Sequence, residues 1–170
     1  MEVISKFTIG SDEGIADFLA IETSEIKNLY SGKISKDDIR KYIEGLDSRK
    51  MINELNDLSN QLIITYADQQ PVGYSILKSG SAYSGFSGER RITELKLIIL
   101  PEYDTQEIRS SLWKKTWSAV GFTDIVWTNI LTDDPLLDFF KETGFVISEN
   151  RQIDPFSLPS YLMEMEVNKK

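Results

Sequence analysis

One strand–helix–strand succession constrains this chain more than any other feature. Residues 92–100 form its longest β-favouring run, residues 108–120 carry apolar side chains at helical spacing, and residues 125–131 favour β structure again. Two strands joined through a helix lie side by side in parallel, because a parallel pair needs a connection of about a dozen residues or more. The rest of the chain reads differently. Residues 62–67 and 72–77 are short, rich in β-branched and aromatic side chains, and separated only by Asp68-Gln69-Gln70-Pro71, which predicts an antiparallel hairpin. Residues 3–9 predict a first strand closed by Gly10-Ser11-Asp12, and residues 146–148 and 161–167 predict the last ones. The expected fold class is α/β, in the α+β sense. Its sheet is mixed but mostly antiparallel and flanked by helices, with one central βαβ unit and a parallel strand pair that splays at its ends.

Helices fill the remaining segments. Ile15, Phe18, Leu19, Ile26, Leu29 and Tyr30 recur at helical spacing with an interruption near Thr23-Ser24, so one or two helices are expected there. Ser35, with Asp38 three residues on, is a variant capping box that opens a helix with the face Ile39, Tyr42, Ile43 and Leu46. Ile52, Leu55 and Leu58 predict another. Asp134-Pro135 offers an N-cap with Pro at the first helical position, and Gly144 marks that helix's end. Residues 79–88 are rich in Gly and Ser and read as a mobile surface segment or a substrate-side flap. With no repeat or linker, residues 1–170 are expected to form a single domain.

Composition narrows the chemistry. The chain contains neither cysteine nor histidine, which excludes thiolate nucleophiles, disulfides, the Ser-His-Asp triad and the usual metal-ligand sets; no metal site is expected. Acid–base work falls to Asp, Glu, Tyr, Lys, the N-terminus or water. A net charge of −8 is the wrong sign for binding phosphate backbones, so nucleic acid is not an expected partner. No apolar run reaches the roughly 18 residues of a membrane span, and the N-terminus lacks a signal pattern, so no membrane association and a cytoplasmic location are expected.

At Glu94-Leu95-Lys96-Leu97-Ile98-Ile99-Leu100-Pro101-Glu102-Tyr103 the chain resembles the cofactor strand of the GNAT superfamily of acyl-CoA-dependent N-acyltransferases. Pro71-Val72-Gly73-Tyr74 looks like the family's hairpin, and Phe139-Phe140-Lys141-Glu142-Thr143-Gly144-Phe145 like its Phe-Tyr-x-x-x-Gly-Phe helix end. Leu29-Tyr30-Ser31-Gly32 and Asp38-Ile39-Arg40-Lys41-Tyr42 look like the bacterial polyamine N-acetyltransferase branch. The resemblance spans nearly the whole chain. It implies acetyl-CoA as cosubstrate, a small-molecule amine or acyl-CoA as partner, and is compatible with a homodimer.

It also implies a set of site residues. Glu94 falls where family members often carry the carboxylate that deprotonates the attacking ammonium; the alternative is a strand-edge charge. Backbone groups of Leu97, Ile98 and Ile99 would bond the pantetheine. The pyrophosphate loop, a Gln/Arg-Gly-x-Gly-x-Gly sequence in the family, falls on Asp104, Thr105, Gln106, Glu107, Ile108 and Arg109, where no glycine is present. Asp104 and Glu107 have the spacing of a capping box, which would fill the anion site with the helix's own carboxylates, while Arg109, Lys114 and Lys115 offer cations for the phosphates. Asp134 stands at the family's cofactor-contacting Asn. Phe140 stands at the Tyr that protonates the leaving thiolate, as pocket lining or as core. Two functions follow: an N-acetyltransferase acting on a primary amine of a polyamine-like small molecule with weak or impaired activity, or a non-catalytic binding or interaction protein that has lost coenzyme A.

Overall fold

A computed structural model describes residues 1–167. The described elements run β1 (Val3–Thr8), α1 (Asp12–Tyr30), α2 (Lys36–Glu44), α3 (Ser48–Leu55), β2 (Asn60–Ala67), β3 (Gln70–Ser79), β4 (Ile92–Ile99), α4 (Gln106–Ser118), β5 (Ile125–Leu131), α5 (Leu137–Thr143), β6 (Val146–Ile153) and β7 (Leu158–Glu166), with a 3-10 turn, Pro101–Tyr103, ahead of α4. Strand order in the sheet is β1-β2-β3-β4-β5-β7-β6. The β1/β2, β5/β7 and β6/β7 pairs are antiparallel. β4 and β5 are the parallel neighbours that the crossover predicts. Ile92, Thr93 and Glu94 pair with Ile125, Val126 and Trp127, and the ladder ends there although both strands continue. No described helix is long and apolar enough to cross a membrane.

The chain packs as two compact units. One comprises Met1–Ile76 with Leu97–Thr116. Here α1 is a single helix of 19 residues, opened by Ser11, whose hydroxyl accepts from Gly14 N. Thr23 and Ser24 do not break it. Each of Ile21, Ile26 and Tyr30 is buried, and burying one large apolar side chain contributes about 1.5–3 kcal/mol, well above the roughly 0.5 kcal/mol that a Thr or Ser costs in helix propensity. The core joins Phe18 and Ile21 of α1 to Leu62, Ile64, Tyr74 and Ile76 of the hairpin and to Ile98 and Leu100. α3 stops at Leu55, short of the expected Leu58, which is 98% exposed. The reason is local: the Asp57 carboxylate accepts from Ser59 N, turning the chain toward β2.

The β2–β3 connection is tighter than expected, with only Asp68 and Gln69 between the strands, at φ +47° and +69°. Positive φ at both central residues is the signature of a type I′ turn, whose twist matches that of the strands. A relay of hydroxyls then seats α4 on the sheet of this unit. Ser5 bonds both Thr65 and Ser111 at 2.7 Å, and Ser75 bonds Thr116 at 2.7 Å.

The second unit comprises Leu77–Lys96 with the described residues from Trp117 onward. Its α5 closes in a Schellman motif. Phe145 N donates to Phe140 O at 3.0 Å, Gly144 N donates to Lys141 O, and Gly144 takes φ +114°, a conformation costly for any side-chain-bearing residue. The Phe140 and Phe145 rings meet edge to face at 5.2 Å, the apolar contact that accompanies such a cap. The helix begins two residues later than Asp134-Pro135 predicts. Asp134 Oδ1 accepts from Leu136 N at 2.8 Å and its carbonyl from Leu137 N, so Asp134 closes a turn around Pro135 and α5 has no side-chain cap. The 79–88 loop is not a free flap. Trp127 Nε1 donates to Ser81 O at 2.8 Å, Arg151 Nη2 donates to Ser84 O at 2.7 Å, and Tyr83 and Phe86 pack on Ile92, Ile125, Trp127 and Leu162.

Candidate functional site

The approach to α4 is built from the end of β4. Gly73 leaves room for β4 to come close: a Cβ at this position would stand 2.8 Å from Ile98 O. Leu100 N donates to Val72 O, and Gly80 N donates to Ile92 O, so the backbone groups of even-numbered β4 residues face β3. Those of Leu97 and Ile99 therefore face the opposite edge, past the end of the parallel ladder. Of the three residues expected to meet a pantetheine arm, Ile98 turns its backbone groups toward β3, and Leu97 and Ile99 turn theirs away from it.

The helix start differs from expectation in a way that bears on charge. Thr105, not Asp104, is the cap: its hydroxyl accepts from Ile108 N at 3.3 Å and its carbonyl from Arg109 N at 2.9 Å. The Asp104 carboxylate instead grips Arg109 through two bonds, Nε to Oδ1 at 2.5 Å and Nη2 to Oδ2 at 2.8 Å. Asp104 N is held by Pro101 O at the close of the 3-10 turn. A two-bond fork between opposite charges is roughly twice as strong as neutral hydrogen bonds, and a threonine hydroxyl suffices as a cap, so the guanidinium wins the carboxylate.

Thr105, Gln106 and Glu107 are exposed, Ile108 is fully buried, and Arg109 is half-buried. Glu102, Asp104 and Glu107 against Arg109 make three negative charges to one positive. A phosphate about 6 Å from one uncompensated carboxylate meets a repulsion of roughly 0.7 kcal/mol in water and about 3 kcal/mol at an effective dielectric of 20. No glycine stands at this helix start, and its charged side chains are mostly negative.

Glu94 is in the other unit, half-buried on β4, and its Oε2 accepts from Ser81 Oγ at 2.7 Å. It sits at the last pair of the β4/β5 ladder, beside Trp127. Phe140 is fully buried, its ring against Phe139 at 6.0 Å and Phe145 at 5.2 Å. Its place is therefore helix closure and core, where a phenyl ring has no proton to give. Asp134 serves the turn before α5.

Sequence reading missed two further groups. On α1, Glu22 and Glu25 are buried, and the fully buried Tyr74 hydroxyl donates to Glu22. Burial, then the nearby Glu22 charge and this bond, push the Tyr74 hydroxyl well above its ordinary value. The available signal was two carboxylates three residues apart within the apolar stripe of Phe18, Ile21 and Ile26. The second group surrounds Trp127. Tyr83 bonds Glu164, and that bond, then burial, pushes the phenol up to about 12. Nothing in the linear sequence links Tyr83 to Glu164.

No family model and no curated protein matches this chain. Solved structures do. The PaiA N-acetyltransferase from Thermoplasma acidophilum in complex with coenzyme A superposes with a TM-score of 0.74 at 19% identity, over 98% of this chain and 100% of that one. The putative acetyltransferase yncA from Salmonella typhimurium, solved with acetyl-CoA, gives 0.72 at 11% identity over 100% and 96%. A chimera of the spermidine N-acetyltransferase SpeG from Vibrio cholerae with hSSAT gives 0.63 at 12% identity over 95% and 94%. The fold is that of the GNAT acetyltransferases.

Proposed function

We propose that this chain, acting as one domain, transfers an acetyl group from acetyl-CoA to a primary amine of a polyamine-like small molecule, with low affinity for the coenzyme. One observation carries the reading. In a GNAT fold without histidine or cysteine, Glu94 is a half-buried carboxylate at the last rung of the parallel ladder, held by a neutral hydroxyl rather than by a cation. An ammonium must lose a proton before its nitrogen can attack, and a carboxylate so held can take it directly or through a water. Acetyl-CoA would supply the acetyl group, its thioester C–S bond breaking as the amine C–N bond forms; the nitrogen's second proton would pass to solvent, and the departing thiolate would take its proton from solvent, because Phe140 cannot supply one.

A second reading rests on the α4 start. The Asp104–Arg109 fork and the exposed Glu107 favour a non-catalytic GNAT-fold binding protein that no longer holds coenzyme A. Calorimetry with coenzyme A up to millimolar concentration, followed by acetylation of spermidine and simple primary amines, separates the two. The enzyme reading expects weak saturable binding and turnover that Glu94→Gln lowers about 10²-fold or more without changing coenzyme affinity. Absence of saturable binding selects the second reading, and turnover indifferent to Glu94→Gln removes Glu94 from the chemistry.

A further inference from the structure

Within the first unit, the last turn of α1, the turn that follows and one face of α2 enclose a cavity of about 400 Å³. That size falls in the range of small-ligand pockets, roughly 300–1,000 Å³. The chain path opens the space. Lys33 N and Ile34 N both donate to Tyr30 O, and Gly32 takes φ +81°, so the chain turns away from α1 before Ser35 caps α2. A Cβ at Gly32 would meet nothing within 4 Å, and no side chain from that position fills the gap. On α2, Lys36, Ile39, Arg40 and Ile43 line the cavity, at spacings of three and four that share one helical face. Ile34, Ile39 and Ile43 make its wall apolar; Ile39 is buried and the other two are half-buried.

The charges at the rim are not balanced. Lys27, Lys36 and Arg40 stand against Glu44, in a chain whose net charge is −8. Arg40 is engaged, pairing with Asp37 at 2.5 Å and with Glu44 at 3.0 Å, so the one carboxylate of the lining already has its cation. Asp37 also takes Lys41 at 3.1 Å, and neither Asp37 nor Asp38 lines the cavity. Lys27, in the last turn of α1, and Lys36, at the first position of α2, are exposed and make no ion pair among the described residues. Two such ammonium groups beside an apolar cavity repel a cationic guest. They favour a guest whose negative end stays at the rim while its apolar part goes inside. Exposed charge pairs attract only modestly, so the apolar part supplies most of the affinity, each methylene withdrawn from water being worth roughly fourfold.

We propose that this cavity binds an amphipathic monocarboxylate, its alkyl chain against Ile34, Ile39 and Ile43 and its carboxylate met by Lys27 and Lys36. None of the lining residues belongs to the acetyl-transfer chemistry above, so the inference stands or falls apart from that reading.

Calorimetry compares octanoate with octanamide, n-octylamine and butyrate, which vary charge and chain length separately. Each is titrated into the unaltered chain, into Lys27→Gln/Lys36→Gln and into Ile43→Trp, without coenzyme or acceptor amine, and melting curves confirm folding. Saturable binding of octanoate is expected, about fivefold or more tighter than that of octanamide or octylamine and about tenfold or more tighter than that of butyrate. The double lysine variant should bring octanoate to the octanamide level, and Ile43→Trp, which enlarges a wall residue, should weaken every eight-carbon ligand. No saturable octanoate binding, equal affinity for the three eight-carbon compounds, or a preference for octanoate that survives the loss of both lysines overturns the proposal. Should Ile43→Trp disturb the fold, the lysine variant, altered only at exposed side chains, carries the comparison alone.

Discussion

At Asp104 the carboxylate has two competitors for its oxygens, the N–H groups opening α4 and the guanidinium of Arg109, and the fork with Arg109 prevails. The sequence spacing to Glu107 pointed to the cap because a capping box is local and readable. The fork depends on how an arginine five residues on folds back across a helical turn, which spacing alone does not show. Asp104→Asn removes one negative charge and releases the guanidinium toward an incoming phosphate. Coenzyme A affinity is expected to rise about tenfold, the equivalent of roughly 1.4 kcal/mol, by calorimetry. Phe140 carries a related expectation. Introducing a phenol with Phe140→Tyr places a hydroxyl in a site with no exposure, and an unbonded buried hydroxyl costs about 1–3 kcal/mol. The melting temperature is expected to fall by roughly 2–4 °C per kcal/mol lost; an unchanged value would show that the ring edge reaches a polar space.

Among the elements, the β2–β3 hairpin carries a visible strain. Neither Asp68 nor Gln69 is glycine, yet both hold positive φ, and a side-chain-bearing residue in that region costs about 1–2 kcal/mol. Asp68 is compensated, since its Oδ1 accepts from Glu2 N at 2.9 Å and its own N–H donates to Glu2 O at 2.8 Å. Gln69 has no such bond in the turn. Gln69→Gly is therefore expected to stabilise by about 1 kcal/mol, seen as a rise of roughly 2–4 °C in melting temperature. The hairpin, the βαβ crossover and the closing turn at Gly144 were all readable, because each is specified by short-range periodicity and turn chemistry. The anchored 79–88 loop was not. Its Gly and Ser residues look mobile in isolation, and what ties it down is Trp127 and Arg151, 46 and 67 residues from the atoms they bond. Glu164 belongs to a strand that reads as plain alternation, so its place in one row with Trp127 and Glu94 emerges only once three strands are in register.

Across the whole molecule, four phenols are held protonated beyond their ordinary value near 10. Burial is the leading cause at Tyr30, Tyr66 and Tyr74, and the bond to Glu164 leads at Tyr83. Tyr30 and Tyr83 are pushed to about 12. A folded-state value above the unfolded one means that the stabilisation is fully present below pH 10 and is lost as pH rises through about 12. Melting temperature is expected to decline across that window, with tyrosinate absorbance lagging behind that of free tyrosine until the chain unfolds. A tyrosinate signal complete by pH 10.5 in folded protein would contradict it.

The outermost strand β6 has a different consequence. Its first five residues are exposed, Val146 and Ile147 among them, so one border of the sheet offers unsaturated backbone beside apolar side chains. Like charge, −8 on each copy at neutral pH, opposes the addition of neighbouring copies to that border, and such repulsion reaches only about 10 Å in 0.1 M salt and about 3 Å in 1 M. The protein's colloidal behaviour therefore hangs on its counterions: samples that stay dispersed in dilute buffer are expected to scatter light increasingly as salt is added or as acid neutralises the carboxylates.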